Sequence, residues 1–597
     1  MINRPPAAAA RASGAWLRAL ELTAPIIREP RRTFPTVVHE LADRFGPSPA
    51  LMSDEQSLTY RQLSERTHQY SRWAIAQGAV SGAVLALLMP NCVDYLAIWL
   101  GVTSVGGVVA LVNSSLTGAA LAHSINVVSA THVVVADSHL EAFRAIAGSL
   151  NSRPRYWAHG GADPGVAHIE NELGRHAAQP LESNHRAPST QDRALYIYTS
   201  GTSGLPKAVN VSHFRVMQWT HWFAGLMAIH RDDKMYNCLP MYHSIGGVVA
   251  TGAPLVSGAA VVIRHRFSAS EFWDDIIKWD CTLFQYIGEL CRYLVNSPFQ
   301  VIETQHRLRL CCGNGLRPDI WPRFKERFRI PHILEYYAST EGNFSLYNCD
   351  EKVGSIGRIP PLMRHRHAIA LIQCNPDSTD PIRDGAGFCF ACAEGEVGEA
   401  IAEVRAESSN PATQFEGYTD QEASGKKMLR NVFATGDRWY RTGDLMRRDA
   451  AGYFYFVDRL GDSYRWKGEN VSASEVVECL RGFEGVTDAV VYGVEVPGTE
   501  GRAGMAAIEA QTTIDLPALH TYLCARLPPY ARPLFVRMLR QLPATATHKP
   551  KKGDLLQDGY NPAKTKDPIF LDDGRIQAYR IVTDELFRRV QSGQIRV

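Results

Sequence analysis

What this chain lacks narrows it first. Neither sign of charge dominates: 63 Lys and Arg face 61 Asp and Glu, a formal net charge of +2, which points to neither nucleic acid nor an acidic partner. Cysteine is sparse, with 12 in 597 residues. The cysteines are scattered rather than set at small-domain spacings, so a disulfide-stapled scaffold is excluded and reduced cytosolic thiols are expected. Cys389 and Cys392 form a C-x-x-C and Cys311-Cys312 an adjacent pair. Neither has the second ligand pair that a zinc site needs, so buried strand cysteines are the expectation. No basic stretch followed by an apolar run and a cleavage site opens the sequence, so no secretory signal is expected. Long apolar runs are also missing. The most apolar window, Tyr95 to Val112, "YLAIWLGVTSVGGVVALV", barely reaches the length of a membrane span. It reads better as a buried helix turning at Gly106-Gly107 into a core strand. A cytoplasmic protein is expected, with peripheral contact at the inner membrane face left open.

What is present is ordinary globular material, 45% apolar and 21% charged, in a chain too long for one core. Residues 1 to about 13 are rich in Ala, Pro and Arg and are expected to be disordered. Ala15 to Ile27 predicts a short amphipathic helix with Trp16, Leu17 and Leu20 on one side, either resting on a membrane surface or capping the domain. Thr59-x-x-Gln62 fits a capping box opening a helix with Leu63, Tyr70 and Ala74 on one face. "AVLALLMPN" from Ala83, "GGVVALVN" and "THVVVAD" from Thr131 read as buried strands. Apolar strands alternating with helices predict an α/β fold: a large, multi-subdomain N-terminal domain with parallel and mixed sheets packed with helices. Late in the chain "AAGYFYFVDR" (Ala450 to Arg459) is a turn and hairpin strand, and compact strand and helix signals follow a polar stretch. They predict a small, mobile α+β C-terminal domain hinged near Gly461. The division is an extension over 1–34, a large domain over 35–459 and a small one over 460–597.

The stretch "YIYTSGTSGLPK" (Tyr196 to Lys207) follows a short apolar strand. Its residues Thr199, Ser200, Gly201, Thr202, Ser203 and Gly204 cannot pack a core. They expose N–H groups and hydroxyls suited to a polyanion, with Lys207 as a point charge for phosphate oxygens. The Walker spacing does not fit, since Pro206 precedes and Ala208 follows the lysine. A plain Ser/Gly/Thr surface loop is the competing account. In "EYYASTEGN", Tyr337 offers a flat face to a purine, Thr340 a hydroxyl to a phosphate and Glu341 a hard oxygen to Mg²⁺. A core tyrosine and a solvated glutamate would look the same. In "YRTGDL", Asp444 follows a Gly turn and can accept both hydroxyls of a ribose, or simply bind its own backbone. Arg459 would stand near the same ribose. Lys549 lies on a small-residue approach in "TATHKPKKGDLLQDGY".

The order of these segments resembles the acyl-adenylate-forming superfamily, which includes acyl-CoA synthetases, over residue 35 to the end. More narrowly, "LPMYHSIGG", "DSYRWKGENVSASEV", "VPGTEGRAGMAAI", "LPPYARPLFVR" and "THKPKKGDLLQDGYNP" resemble its fatty acid transport protein and very-long-chain acyl-CoA synthetase branch. The resemblance implies an AMP-forming ligation of a fatty acid to coenzyme A, with ATP and Mg²⁺. It implies that Thr199 to Lys207 holds the β- and γ-phosphates, Tyr337 stacks on adenine, Thr340 meets the α-phosphate and Glu341 binds magnesium. Asp444 and Arg459 take the ribose. Lys549, with Lys552 as its competitor, contacts the carboxylate and α-phosphate. His243 flanks the acyl pocket, and the Gly468 loop meets the pantetheine thiol. Ala338 stands where the superfamily usually has Gly, and Gly313-Asn314-Gly315-Leu316 replaces its Gly-Gly-Ala-like run. A ligase for another hydrophobic acid, such as a bile or aromatic acid, and a membrane-associated fatty-acid uptake or binding protein are the alternative readings.

Overall fold

The computed structural model of the chain describes residues 7–182, 187–200, 205–342, 344–364, 368–375, 380–405, 414–460, 464–466, 469–497, 499, 501–527, 529–543, 552–574 and 576–595. They form two compact units, one from Met1–His367 with Glu403–Leu429 and one from Ala368–Ala402 with Arg430–Val597.

In the first unit, six strands lie in the order Arg155–His159, His132–Ala136, Val84–Leu88, Val108–Leu111, Arg193–Ser200 and Pro206–Ser212. All neighbours are parallel except the last pair, a hairpin. Every residue of Val84–Leu88 and His132–Ala136 is buried, as continuous apolar runs should be in a parallel sheet covered on both faces. The Tyr95–Val112 window divides as expected into a buried helix, Val93–Ser104, and the strand Val108–Leu111, joined at Gly106 with a φ of +84°. The predicted capping box is present: Thr59 Oγ1 accepts from Gln62 N at 3.2 Å, and Gln62 Oε1 accepts from Thr59 N at 2.9 Å. A second sheet of this unit runs Ser345–Asn348, Ile333–Ala338, Leu310–Asn314, Leu283–Ile287, Lys234–Asn237, Ala260–Ile263, Pro49–Met52. It is parallel through its centre, from Ile333–Ala338 to Pro49–Met52.

The N-terminal helix runs Ala7–Thr23, which corrects two expectations. Residues 7–13 are helical rather than disordered, as an alanine-rich stretch favours. The buried side is Ala12, Ala15, Trp16 and Ala19, while Leu17 is 52% exposed. Small residues on that stripe allow close approach to the helix His213–Leu226, where a Cβ on Gly225 would lie 2.5 Å from Ala19 Cα. Trp16 then meets Trp222 and Tyr347 edge-on, each with ring centroids 5.6 Å apart. Arg11 Nη1 lies 2.6 Å from His332 Nδ1, and Arg11 Nη2 lies 3.3 Å from Glu351. The helix caps this unit's core. Among the described residues no helix is long and apolar enough to cross a membrane.

The second unit holds the hairpin Arg438–Arg448 and Tyr453–Arg459, and a five-stranded sheet in the order Val486–Glu495, Arg502–Ala510, Phe535–Leu539, Ile569–Asp573, Ala578–Ile581. The helices Ala473–Arg481 and Leu516–Arg526 bury Val476, Leu480, Leu519 and Leu523 in this unit's own core.

Candidate active site

The strands Arg193–Ser200 and Pro206–Ser212 pair antiparallel, with Thr199 opposite Lys207 and Ser200 opposite Pro206. This hairpin therefore holds both ends of the glycine-rich loop. Gly201, Thr202, Ser203 and Gly204 lie outside the described residues. Along the pair's edge a short segment of the same unit docks: Asn210 N donates to Gly417 O and Thr419 N to Ala208 O, both at 2.9 Å, giving an antiparallel bridge between Val209 and Tyr418. Glu416 secures it, accepting from Ser212 N at 2.7 Å and Ser212 Oγ at 2.6 Å.

Tyr418 is buried, and its ring lies under the Lys207 ammonium, 5.8 Å from Nζ. Its hydroxyl donates to Glu341 Oε1 at 2.9 Å, and the Thr199 side chain is its other polar neighbour. Burial, then the Glu341 charge, push the phenol's pKa far up, so it remains a donor. Glu341 follows the strand Ile333–Ala338, which is buried from Ile333 through Tyr336 and emerges at its end, leaving Tyr337 half-buried. Tyr337 packs edge-on against Phe344 with centroids 5.4 Å apart. The Thr340 hydroxyl pairs with Ser244 Oγ at 3.1 Å, and Arg215 Nη1 donates to Thr340 O at 3.0 Å. Thr199, Lys207, Thr340 and Glu341 are thus gathered around Tyr418, Arg215 and Glu416.

His243 caps a π-helical turn, Ser244–Val249. Buried asparagines hold it: Asn91 Oδ1 accepts from Met241 N at 2.8 Å, and Asn237 Nδ2 donates to Gly246 O at 2.9 Å. Gly313 pairs with Tyr286 and Glu335 on its two neighbouring strands. A Cβ there would stand 2.3 Å from Tyr286 O, so the position tolerates no side chain. Glu335 is fully enclosed. It accepts from Tyr286 Oη at 2.6 Å and from Leu316 N at 3.1 Å. Burial raises its pKa from 4.5 to about 8. It ties the Gly313–Leu316 turn to the strand that carries Tyr337.

In the second unit, Asp444 and Arg459 are direct partners across the hairpin, with Arg459 Nε 3.8 Å from Asp444 Oδ1. The turn before Asp444 is fixed from behind: Glu399, fully buried, accepts from Arg441 Nη2 at 2.7 Å and Gly443 N at 3.1 Å. Lys552 is the N-cap of the helix Gly553–Asp558. Lys549, Gly468 and Gly461 lie outside the described residues. Among the described residues, no group of three or more His, Cys, Asp or Glu is arranged as a metal cluster.

Reading the sequence missed Arg215, Glu335, Glu416 and Tyr418. "QFEGY" (Gln414 to Tyr418) has no periodicity and no hydroxyl-rich run, and its meaning lies in partners about 75 and 200 positions away. Glu335 heads the run Glu335-Tyr336-Tyr337, and its burial comes from the neighbouring strands rather than from anything in that run.

The AMP-binding enzyme family profile matches residues 38–367, and the AMP-binding enzyme C-terminal domain profile matches residues 475–549. The chain is 37% identical over 567 residues to long-chain fatty acid transport protein 1 of Homo sapiens, covering 94% of this chain and 87% of that protein. It is 39% identical over 534 residues to long-chain fatty acid transport protein 3 of Mus musculus, covering 88% and 79%. Among solved structures, an anthranilate CoA ligase in complex with anthranoyl-AMP superposes with a TM-score of 0.74 at 21% identity, covering 88% of this chain and 96% of that one. A Mycobacterium tuberculosis fatty acyl CoA synthetase gives 0.62 at 21% identity, covering 88% and 98%.

Proposed function

The chain belongs to the AMP-binding enzyme family, and we propose that it is an ATP-dependent ligase joining long-chain or very-long-chain fatty acids to coenzyme A through an acyl-adenylate. The observation that carries this reading is the gathering of Lys207, Thr199 and Glu341 around one buried tyrosine, with Thr340 tied to the same segment through Arg215. That arrangement supplies a point cation, hydroxyls and a hard carboxylate oxygen, the set a metal–triphosphate needs. The identity to long-chain fatty acid transport proteins supports the acyl class. It also supports a part in uptake, in which ligation to coenzyme A traps the acid on one side of a membrane.

In this reading, the fatty carboxylate attacks the α-phosphorus of ATP and pyrophosphate leaves. The thiol of coenzyme A then attacks the acyl carbonyl and AMP leaves. Most of the work is positioning and electrostatics. The Thr199–Lys207 segment holds the β- and γ-phosphates, Thr340 the α-phosphate, and Tyr337 and the Gly313 turn take adenine. Asp444 and Arg459 hold the ribose. Lys549 stabilises the carboxylate and α-phosphate during adenylation, and the Gly468 loop receives pantetheine in the second step. His243 flanks the acyl chain. Glu341 fits a Mg²⁺-class cation: Oε1 is fixed by Tyr418, and Oε2 has no hydrogen-bond donor among the described residues. A cation bound there would offset the charge of the triphosphate.

The test is acid-dependent pyrophosphate release with ATP and Mg²⁺, from acetate to very long chains, with and without coenzyme A. Release with long chains and an acyl-CoA product is expected. Turnover restricted to aromatic or bile acids would move the assignment to another hydrophobic acid. Fatty-acid binding without turnover would favour the uptake or binding reading.

A further inference from the structure

The segment Gln414–Thr419 connects parts of the site that are far apart in the chain. Its backbone extends the phosphate-loop hairpin by one bridge, Val209 to Tyr418. Its acid, Glu416, takes the N–H and hydroxyl of Ser212 and lies 3.5 Å from Arg215 Nε. Arg215 in turn donates to Gln414 O at 3.3 Å and to Thr340 O at 3.0 Å. The segment is therefore locked at one end to the strand carrying Lys207 and at the other to the turn carrying Thr340 and Glu341. Tyr418 lies between these anchors with two different contacts, ring to ammonium and hydroxyl to carboxylate.

We propose that Tyr418 is a positioning residue that sets the spacing between Lys207 and Glu341, and so couples phosphate binding to cation binding at the nucleotide site. The proposal rests on the ligase reading above. The geometry separates two tasks within one side chain. The ring face holds the Lys207 ammonium by a cation–π contact. The hydroxyl occupies Oε1 of Glu341, so the carboxylate presents Oε2 as a single, oriented oxygen. Without that bond the carboxylate swings about its terminal torsion, which is broad, and its coordinating oxygen loses its fixed direction. Neither task requires the phenol to give up its proton.

Tyr418→Phe removes the hydroxyl and keeps the ring; Tyr418→Leu removes both. Binding of ATP is measured by calorimetry without divalent cation and across a Mn²⁺ titration, with the Mn²⁺ signal followed by electron paramagnetic resonance, so that no acid or turnover is needed. Tyr418→Phe is expected to weaken Mn²⁺ binding to the ATP complex by about tenfold to a hundredfold, the range for a hydrogen bond to a charged group. Its cation-free ATP affinity should be unchanged. Tyr418→Leu is expected to weaken both. In a Glu341→Gln background, Tyr418→Phe should cost nothing further in Mn²⁺ affinity. An unaltered Mn²⁺ titration for Tyr418→Phe, or an undiminished cost in the Glu341→Gln background, overturns the proposal while leaving the ligase reading intact. A wild-type protein that binds no cation with ATP overturns both.

Discussion

Glu335 gives the sharpest quantitative prediction. Its carboxyl is enclosed by Tyr286, Cys291, Cys312 and Tyr336, all neutral groups whose own pKa values are pushed up by the same burial. The hydrogen bonds from Tyr286, Leu316 and Gly315 favour the charged form, yet desolvation dominates and the pKa rises from 4.5 to about 8. An acid whose pKa is higher in the folded chain binds its proton more tightly there. Stability from this group is therefore full below about pH 4.5, falls as the unfolded chain ionises, and reaches its floor once pH passes about 8. The gap between the two values corresponds to an upper bound of about 5 kcal/mol. Glu335→Gln keeps an oxygen for Leu316 N and turns its amide toward the Tyr286 hydroxyl, which accepts instead. Near pH 5 the variant should match the wild type, and by pH 9 it should be more stable by several kcal/mol. Denaturant unfolding at pH 5, 7 and 9, followed by hydrogen exchange in the strands Leu310–Asn314 and Ile333–Ala338, isolates this unit from the other. A difference between variant and wild type that stays within about 1 kcal/mol over that range would refute the reasoning.

Trp16→Ala should cost about 3–5 kcal/mol, because it empties a buried site between Trp222 and Tyr347. Leu17→Ser on the exposed side should cost less than about 0.5 kcal/mol, both variants being read by denaturant unfolding. Gly288→Ala would set a Cβ 1.7 Å from Gly315 O. The shifted turn should raise the KM for ATP by up to about a hundredfold, whereas Gly553→Ala, with nothing within 4 Å, should leave it unchanged. Lys549→Ala is expected to abolish acyl-adenylate formation while Lys552→Ala retains it. The opposite result would transfer the adenylation role to Lys552.

Legibility followed chemistry that is local in the chain. The parallel strands, the Thr59 cap and the helix-to-strand turn at Gly106 were readable because burial, capping and turning each leave their mark within a few residues. The candidate nucleotide-binding side chains also sit in contiguous runs, a polyanion loop and a Tyr–Thr–Glu run, but each run is ordinary alone and only their order along the chain pointed to a shared site. Arg215, Glu416 and Tyr418 were not readable, because each acts through partners on other elements and carries no periodic signal. The N-terminal helix was half-legible. Its amphipathicity could be seen, but Trp16 and Leu17 could be assigned to opposite faces only once the alanine stripe had a helix to pack against.

That docked helix also bears on how the chain is made. Arg11 and its partner His332 are 321 residues apart, so at about 5–20 residues per second the helix leaves the ribosome roughly 15–65 s before the strand edge it contacts exists. The alanine stripe's partner helix, His213–Leu226, is made about two-thirds of the way through that interval, and Trp16 is enclosed on its second side only when Tyr347 follows. This helix is made well before its packing can be completed, because the residues that finish enclosing it lie 321 or more positions further along the chain.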